Sequence, residues 1–151
     1  MSEGIGGVAD GTPFLSYFGL ERTYWAARRR PNVLMVHYRD LKADLPVEMR
    51  RVAQFLDIDV PEAIFPELVK AATFEEMRRL GGTLMPRVLK TFEGGVERFF
   101  HKGENERWRG VLSESDLALY EHKVKASLSP ACAAWLERGR FGSCNPREAP
   151  D

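Results

Sequence analysis

Between Arg98 and Gly110 the chain reads RFFHKGENERWRG, setting three large rings among cations. Lys102 offers an ammonium with three donors, and Gly103 a backbone that can approach a ligand closely. That set suits a phosphorylated, ring-containing ligand. It equally suits a loop whose rings reach the core while its charges stay in water. A second stretch, HYRDLKAD from His37 to Asp44, follows a short apolar run. Tyr38 thereby falls at a strand's carboxyl end, where ligands bind in open α/β sheets, or it is a core tyrosine at that end. Phe74 follows a helix cap, and packing beneath the helix is its simplest use.

Other candidates fall away. GIGGVADG, near the start, follows no strand and has no Lys-Ser/Thr pair, which argues against a phosphate loop. His37, His101 and His122 share no metal-ligand spacing, so no metal is expected. No serine lies in a nucleophile elbow. Cys132 and Cys144 form neither a metal nor a redox spacing, which points to a reducing compartment.

The elements that must position these residues can be read along 151 residues, about one domain's length. Residues 1–11 are Gly-rich and expected to be flexible. A helix is expected from Thr12 to Arg30, with Arg28, Arg29 and Arg30 as its solvated end before Pro31. NVLMVHY predicts a short buried strand. Asp44 is a helix N-cap, with Leu45, Met49, Val52 and Leu56 on one face. Pro61 opens a further helix, and Thr73 and Glu76 stand in capping-box spacing before a helix that Gly81 ends. Residues 81–112 show no period and read as a long, partly ordered loop. Ser113 and Pro130 open the last two helices, and residues 141–151 read as a flexible tail.

Twenty-two basic residues balance twenty-two acidic ones, which argues against a dedicated nucleic-acid binder. The longest aliphatic run is four residues, Val33 to Val36, far short of a membrane span, and the N-terminus has no secretory pattern. The expected location is cytoplasmic, with neither nucleic acid nor membrane as partner. One strand among five or six helices leaves two readings: a helical protein, or part of an α/β protein whose other strands lie elsewhere. The second is preferred, because a lone strand cannot satisfy its own backbone.

Three motifs in order resemble the C-terminal half of the sulfotransferases that use 3′-phosphoadenosine 5′-phosphosulfate (PAPS). VLMVHYRDLKAD resembles that family's strand followed by Tyr-Glu-Asp-Leu/Met. ATFEEM is similar to its Thr-Ser-Phe-x-x-Met, and HKGENERW to its Arg-Lys-Gly-x-x-Gly-x-Trp. Trp25 matches a tryptophan upstream of the strand, and the likeness runs from about Trp25 to Arg140. It implies an α/β fold of P-loop type, mostly helical over a half-domain at 12–140, with one short parallel-type strand. It also implies that Tyr38 and Phe74 line an adenine pocket, that His101, Lys102 and Gly103 meet the 3′-phosphate, and that Trp108 anchors the loop.

The departures are specific. His101 stands where Arg is usual, Arg39 where Glu is, Ala72 where Thr is, and Glu106 where Gly is. Glu106 is expected to oppose phosphate binding. The family's phosphosulfate loop, catalytic His and opposing phosphate clamp have no counterpart, so no catalytic residue is expected in this chain. The implied reaction moves a sulfuryl group from PAPS to a hydroxyl or amine acceptor, in a fragment or truncated relative that is inactive by itself. The alternatives are a truncated helical interaction module without chemistry and, less suited to a neutral chain, a single-strand nucleic-acid binder. An unpaired strand edge predicts self-association.

Overall fold

The computed structural model describes residues 16–87 and 93–150. The N-terminal segment 1–11, the first residues of the expected opening helix and part of the 81–112 loop lie outside them. The chain forms two compact units, one combining residues up to Asp40 with those from Gly110 onward, the other running from Leu41 to Arg109.

In the first unit, α1 (Tyr17–Ala27) begins where Ser16 Oγ accepts a hydrogen bond from the Gly19 N–H. Its buried residues Phe18 and Trp25 stand two turns apart, on one face. Two later helices, α7 (Glu114–Ser127) and α8 (Pro130–Gly142), complete the unit. Ser113 and Asp116 close a reciprocal capping box on α7, and the Ser113 hydroxyl and N–H hold the Asp116 carboxyl below its ordinary range. Phe18, Trp25, Val124, Leu128, Cys132 and Trp135 form the core.

The basic run is a solvated helix end only in part: Arg29 and Arg30 are exposed, but Arg28 is not. Arg28 is buried: its guanidinium donates to the carbonyls of Trp25, Pro146 and Ala149 and lies 4.6 Å from the Trp25 ring. Charge-assisted bonds to carbonyls compensate for taking that cation out of water. Arg147 returns the contact, donating to the carbonyls of Arg30 and Val33.

The strand expected at Val33–Val36 does not form. Among the described residues there is no strand, and residues 33–37 run irregularly to α2 (Tyr38–Ala43). A strand exists by pairing with another, and none of the described residues offers a ladder. The Val33 carbonyl instead accepts from Arg147, while Met35 packs on the core. Self-association through a strand edge loses its basis with the strand.

The second unit contains α3 (Leu45–Phe55), α4 (Phe65–Ala71), α5 (Phe74–Leu84) and α6 (Gly95–Phe99). Asp44 Oδ1 accepts from the Val47 N–H, as its type predicts. On α3 the carboxylate of Glu48 is fully buried and bonded by Arg51. Pro61 opens a turn, its carbonyl accepting from Ile64 and Phe65, so α4 starts four residues later. Thr73 Oγ1 accepts from the Glu76 N–H at the head of α5, while the Glu76 carboxylate pairs with Arg79. Gly81 does not stop that helix. A Cβ there would stand 2.8 Å from atoms of both Val96 and Phe100, so the missing side chain is what lets α5 meet α6.

Candidate functional site

Phe74 is the first residue of α5, where the Thr73 cap sets its direction. The buried Phe100 ring meets it edge-on, with centroids 5.9 Å apart. Gly103 packs against the same ring with φ +61, and a Cβ on it would stand 2.7 Å from Phe74 Cδ2. Within the chain, the close approach that Gly103 permits is therefore to Phe74. Lys42 Nζ sits 6.0 Å from the Phe74 centroid.

Beside this ring cluster lies an open cleft of about 730 Å³, lined among others by Phe74, Arg78, Val96, Glu97 and Lys102. Phe74 and Arg78 share it because residues four apart on a helix face the same way. Arg78 of α5 pairs with Glu97 of α6, and the guanidinium hydrogen bond holds the Glu97 carboxyl below its ordinary range. Arg79, also on the wall, is paired with Glu76. Lys102 makes no hydrogen bond or ion pair with any described residue. A cation facing an open cleft beside an aromatic ring can take an anion attached to a ring.

His101 is exposed and does not line the cleft. Glu106 has φ +60, a conformation that glycine adopts readily and other residues rarely do, and Arg109 Nε lies 2.9 Å from its carboxylate. The charge expected to oppose a phosphate is thus engaged within the loop. Trp108 is half-exposed under the Arg109 guanidinium, so it is no buried anchor.

Tyr38 belongs to the first unit, where it is exposed at the start of α2. Of its neighbours in HYRD, His37 and Asp40 point inward, while Arg39 is exposed. His37 Nδ1 accepts from the Arg39 N–H, which leaves the Nε2 proton to be donated to the Leu136 carbonyl at 2.9 Å. Asp40, 1% exposed, accepts the Arg140 N–H on one oxygen and the Phe141 N–H on the other. Both clamp α8 where it breaks at Gly139. Sequence reasoning selected Tyr38 and missed His37, Asp40 and Arg78. The i,i+3 spacing of the first two and the i,i+4 spacing of Phe74 and Arg78 were the available signals. No group of three or more His, Cys, Asp or Glu among the described residues could hold a metal ion, and none of their helices is long and apolar enough to cross a membrane.

The sulfotransferase domain family matches residues 10–128. The chain belongs to that family. Among curated sulfotransferases, the glycolipid sulfotransferase of Mycobacterium tuberculosis is 32% identical over 120 residues, which are 80% of this chain and 37% of that protein. Luciferin sulfotransferase of Photinus pyralis is 31% identical over 129 residues, 77% of this chain and 33% of its own length. Cytosolic sulfotransferase 12 of Arabidopsis thaliana is 40% identical over 95 residues, 61% and 28% respectively. The chain therefore spans about a third of the length of these sulfotransferases. No solved structure matches it significantly.

Proposed function

We propose that this chain supplies the adenine and 3′-phosphate wall of a sulfotransferase that uses PAPS, and that Tyr38, Phe74, His101, Lys102 and Gly103 contact the nucleotide. The observation that carries this reading is Lys102, a cation without an ion pair among the described residues, lining one cleft with the Phe74 ring. In the reaction, the acceptor oxygen or nitrogen bonds to sulfur as the bond from sulfur to the 5′-phosphate breaks. The acceptor's proton passes to a base, and 3′-phosphoadenosine 5′-phosphate leaves. The residues named here bind and orient; none supplies the base. Phe74 offers a ring face to the adenine, and Lys102 offers charge-assisted hydrogen bonds to phosphate. A cytoplasmic location belongs to the same reading, supported by the relative that carries "cytosolic" in its name.

The test is a titration of the chain with 3′-phosphoadenosine 5′-phosphate and with AMP, followed by NMR. A dissociation constant of ~1 mM is expected for the former, worth about 4 kcal/mol. Lys102→Glu should weaken it at least about tenfold, less so at high salt, since a hydrogen-bonded cation facing phosphate contributes roughly 1.5–3 kcal/mol. Equal responses to the two nucleotides, or an unchanged affinity in Lys102→Glu, would remove the phosphate role.

A second reading, a helical interaction module without this chemistry, draws on an apolar groove of about 230 Å³ between α3 and α4, where Leu56 and Ile58 are more than half exposed. A folded chain that binds neither nucleotide would favour it.

A further inference from the structure

The cleft beside Phe74 contains more cationic charge than it presents. Arg78 stands one helical turn beyond Phe74 on the same wall, with its guanidinium engaged by Glu97 across from α6. Both partners are substantially solvent-exposed, at 43% and 70% of their side-chain surface. Exposed pairs of this kind are weak, because water and salt already screen them and two long side chains must be held still. An anion entering the cleft could therefore take the guanidinium from Glu97 at little cost, and a guanidinium binds phosphate oxygens with two parallel hydrogen bonds.

We infer that Arg78 is a second anion-binding residue of this cleft, and that Glu97 occupies it as an internal stand-in for the ligand's anionic group. This rests on the nucleotide reading of the same cleft, and it adds a requirement. The ligand must present negative charge to Arg78 as well as to Lys102, which suits a phosphorylated nucleotide better than a neutral nucleoside. Glu97 then acts as a brake, since each binding event must first displace its carboxylate. Glu75 provides the internal control. It lines the same cleft, carries the same charge, and makes no ion pair with a described residue.

Four substitutions in the chain decide the matter, each checked by thermal unfolding and titrated by NMR with 3′-phosphoadenosine 5′-phosphate at two salt concentrations. Glu97→Gln should tighten binding by about two- to fivefold, the cost of displacing an exposed ion pair. Arg78→Gln should weaken it by about tenfold and flatten its salt dependence. In the Arg78→Gln background, Glu97→Gln should tighten binding no more than Glu75→Gln does, since the released cation is gone and only a background charge is removed. Glu75→Gln should tighten binding less than Glu97→Gln. Equal tightening by both Glu variants, or tightening by Glu97→Gln that persists in full without Arg78, would reduce Glu97 to a background charge and overturn the inference. An unchanged affinity in Arg78→Gln beside a weakened Lys102→Gln would overturn it too, leaving the nucleotide reading intact. If Lys102→Gln changes nothing either, both fall together.

Discussion

Asp40 and Gly139 fit each other so closely that residue 139 has no room for a side chain. A Cβ at residue 139 would stand 2.6 Å from Asp40 Oδ1, and the backbone there has φ +69. The carboxylate cannot retreat without releasing the Arg140 and Phe141 N–H groups. Gly139→Ala should therefore cost about 3 kcal/mol or more, combining left-handed strain with a buried clash. Asp40→Asn should cost roughly 2–3 kcal/mol, since an amide NH2 would face an N–H donor. Urea unfolding of both variants measures this, and a loss below about 0.5 kcal/mol for Gly139→Ala would contradict the geometry.

The Gly103 contact with Phe74 makes a separable prediction. Gly103→Ala should destabilise the chain by about 2 kcal/mol through strain and ring displacement. Shortening the ring by Phe74→Leu should relieve the clash but not the strain. The double variant should thus lose less than the sum of the two singles. Strict additivity in unfolding free energies would mean that the ring and the glycine do not touch.

Glu106 holds a left-handed conformation, and its ion pair with Arg109 is exposed. Glu106→Gly should stabilise the protein by about 1 kcal/mol, a rise of roughly 2–4 °C in Tm, because strain is removed and a weak ion pair is lost. The gain should survive high salt. A fall in Tm would show that the Arg109 contact outweighs the strain.

Burial pushes the Cys132 thiol up to about 11, with the Glu21 carboxylate adding to the shift. An unfolded thiol loses its proton near ~8.5, so from there upward the folded state binds more protons than the unfolded one. The contribution of Cys132 to stability is complete below that pH and is lost as the pH rises through about 11. Burial raises Tyr17 and Tyr120 as well, so the wild-type curve alone does not isolate the thiol. Cys132→Ala should show a smaller loss of urea midpoint between about pH 8 and 10.5 than the wild type. Parallel curves for the two proteins would refute the assignment.

Short-range chemistry made much of this protein legible from its residues. Asp44, Thr73 and Ser113 each cap a helix because the groups involved lie within three residues of one another. The ordered motifs around Tyr38, Phe74 and Lys102 pointed to the family for a similar reason, each being a short run whose residue types serve one task. What the sequence left open depended on partners far along the chain. Val33 to Val36 has strand composition, yet its secondary structure depends on whether another strand lies beside it. Gly81 reads locally as a helix stop, but Phe100 and Val96, packing against it, turn the missing Cβ into a contact surface. The run of arginines looks like a solvated end until the carbonyls of Pro146 and Ala149 reach Arg28 from more than a hundred residues away. Asp40 was invisible as a clamp for the same reason, since its donors at 140 and 141 are brought to it only by folding. Caps and motifs are satisfied within a turn or two of helix. Burial, strand pairing and the fate of a buried charge are decided by neighbours that only the tertiary structure supplies.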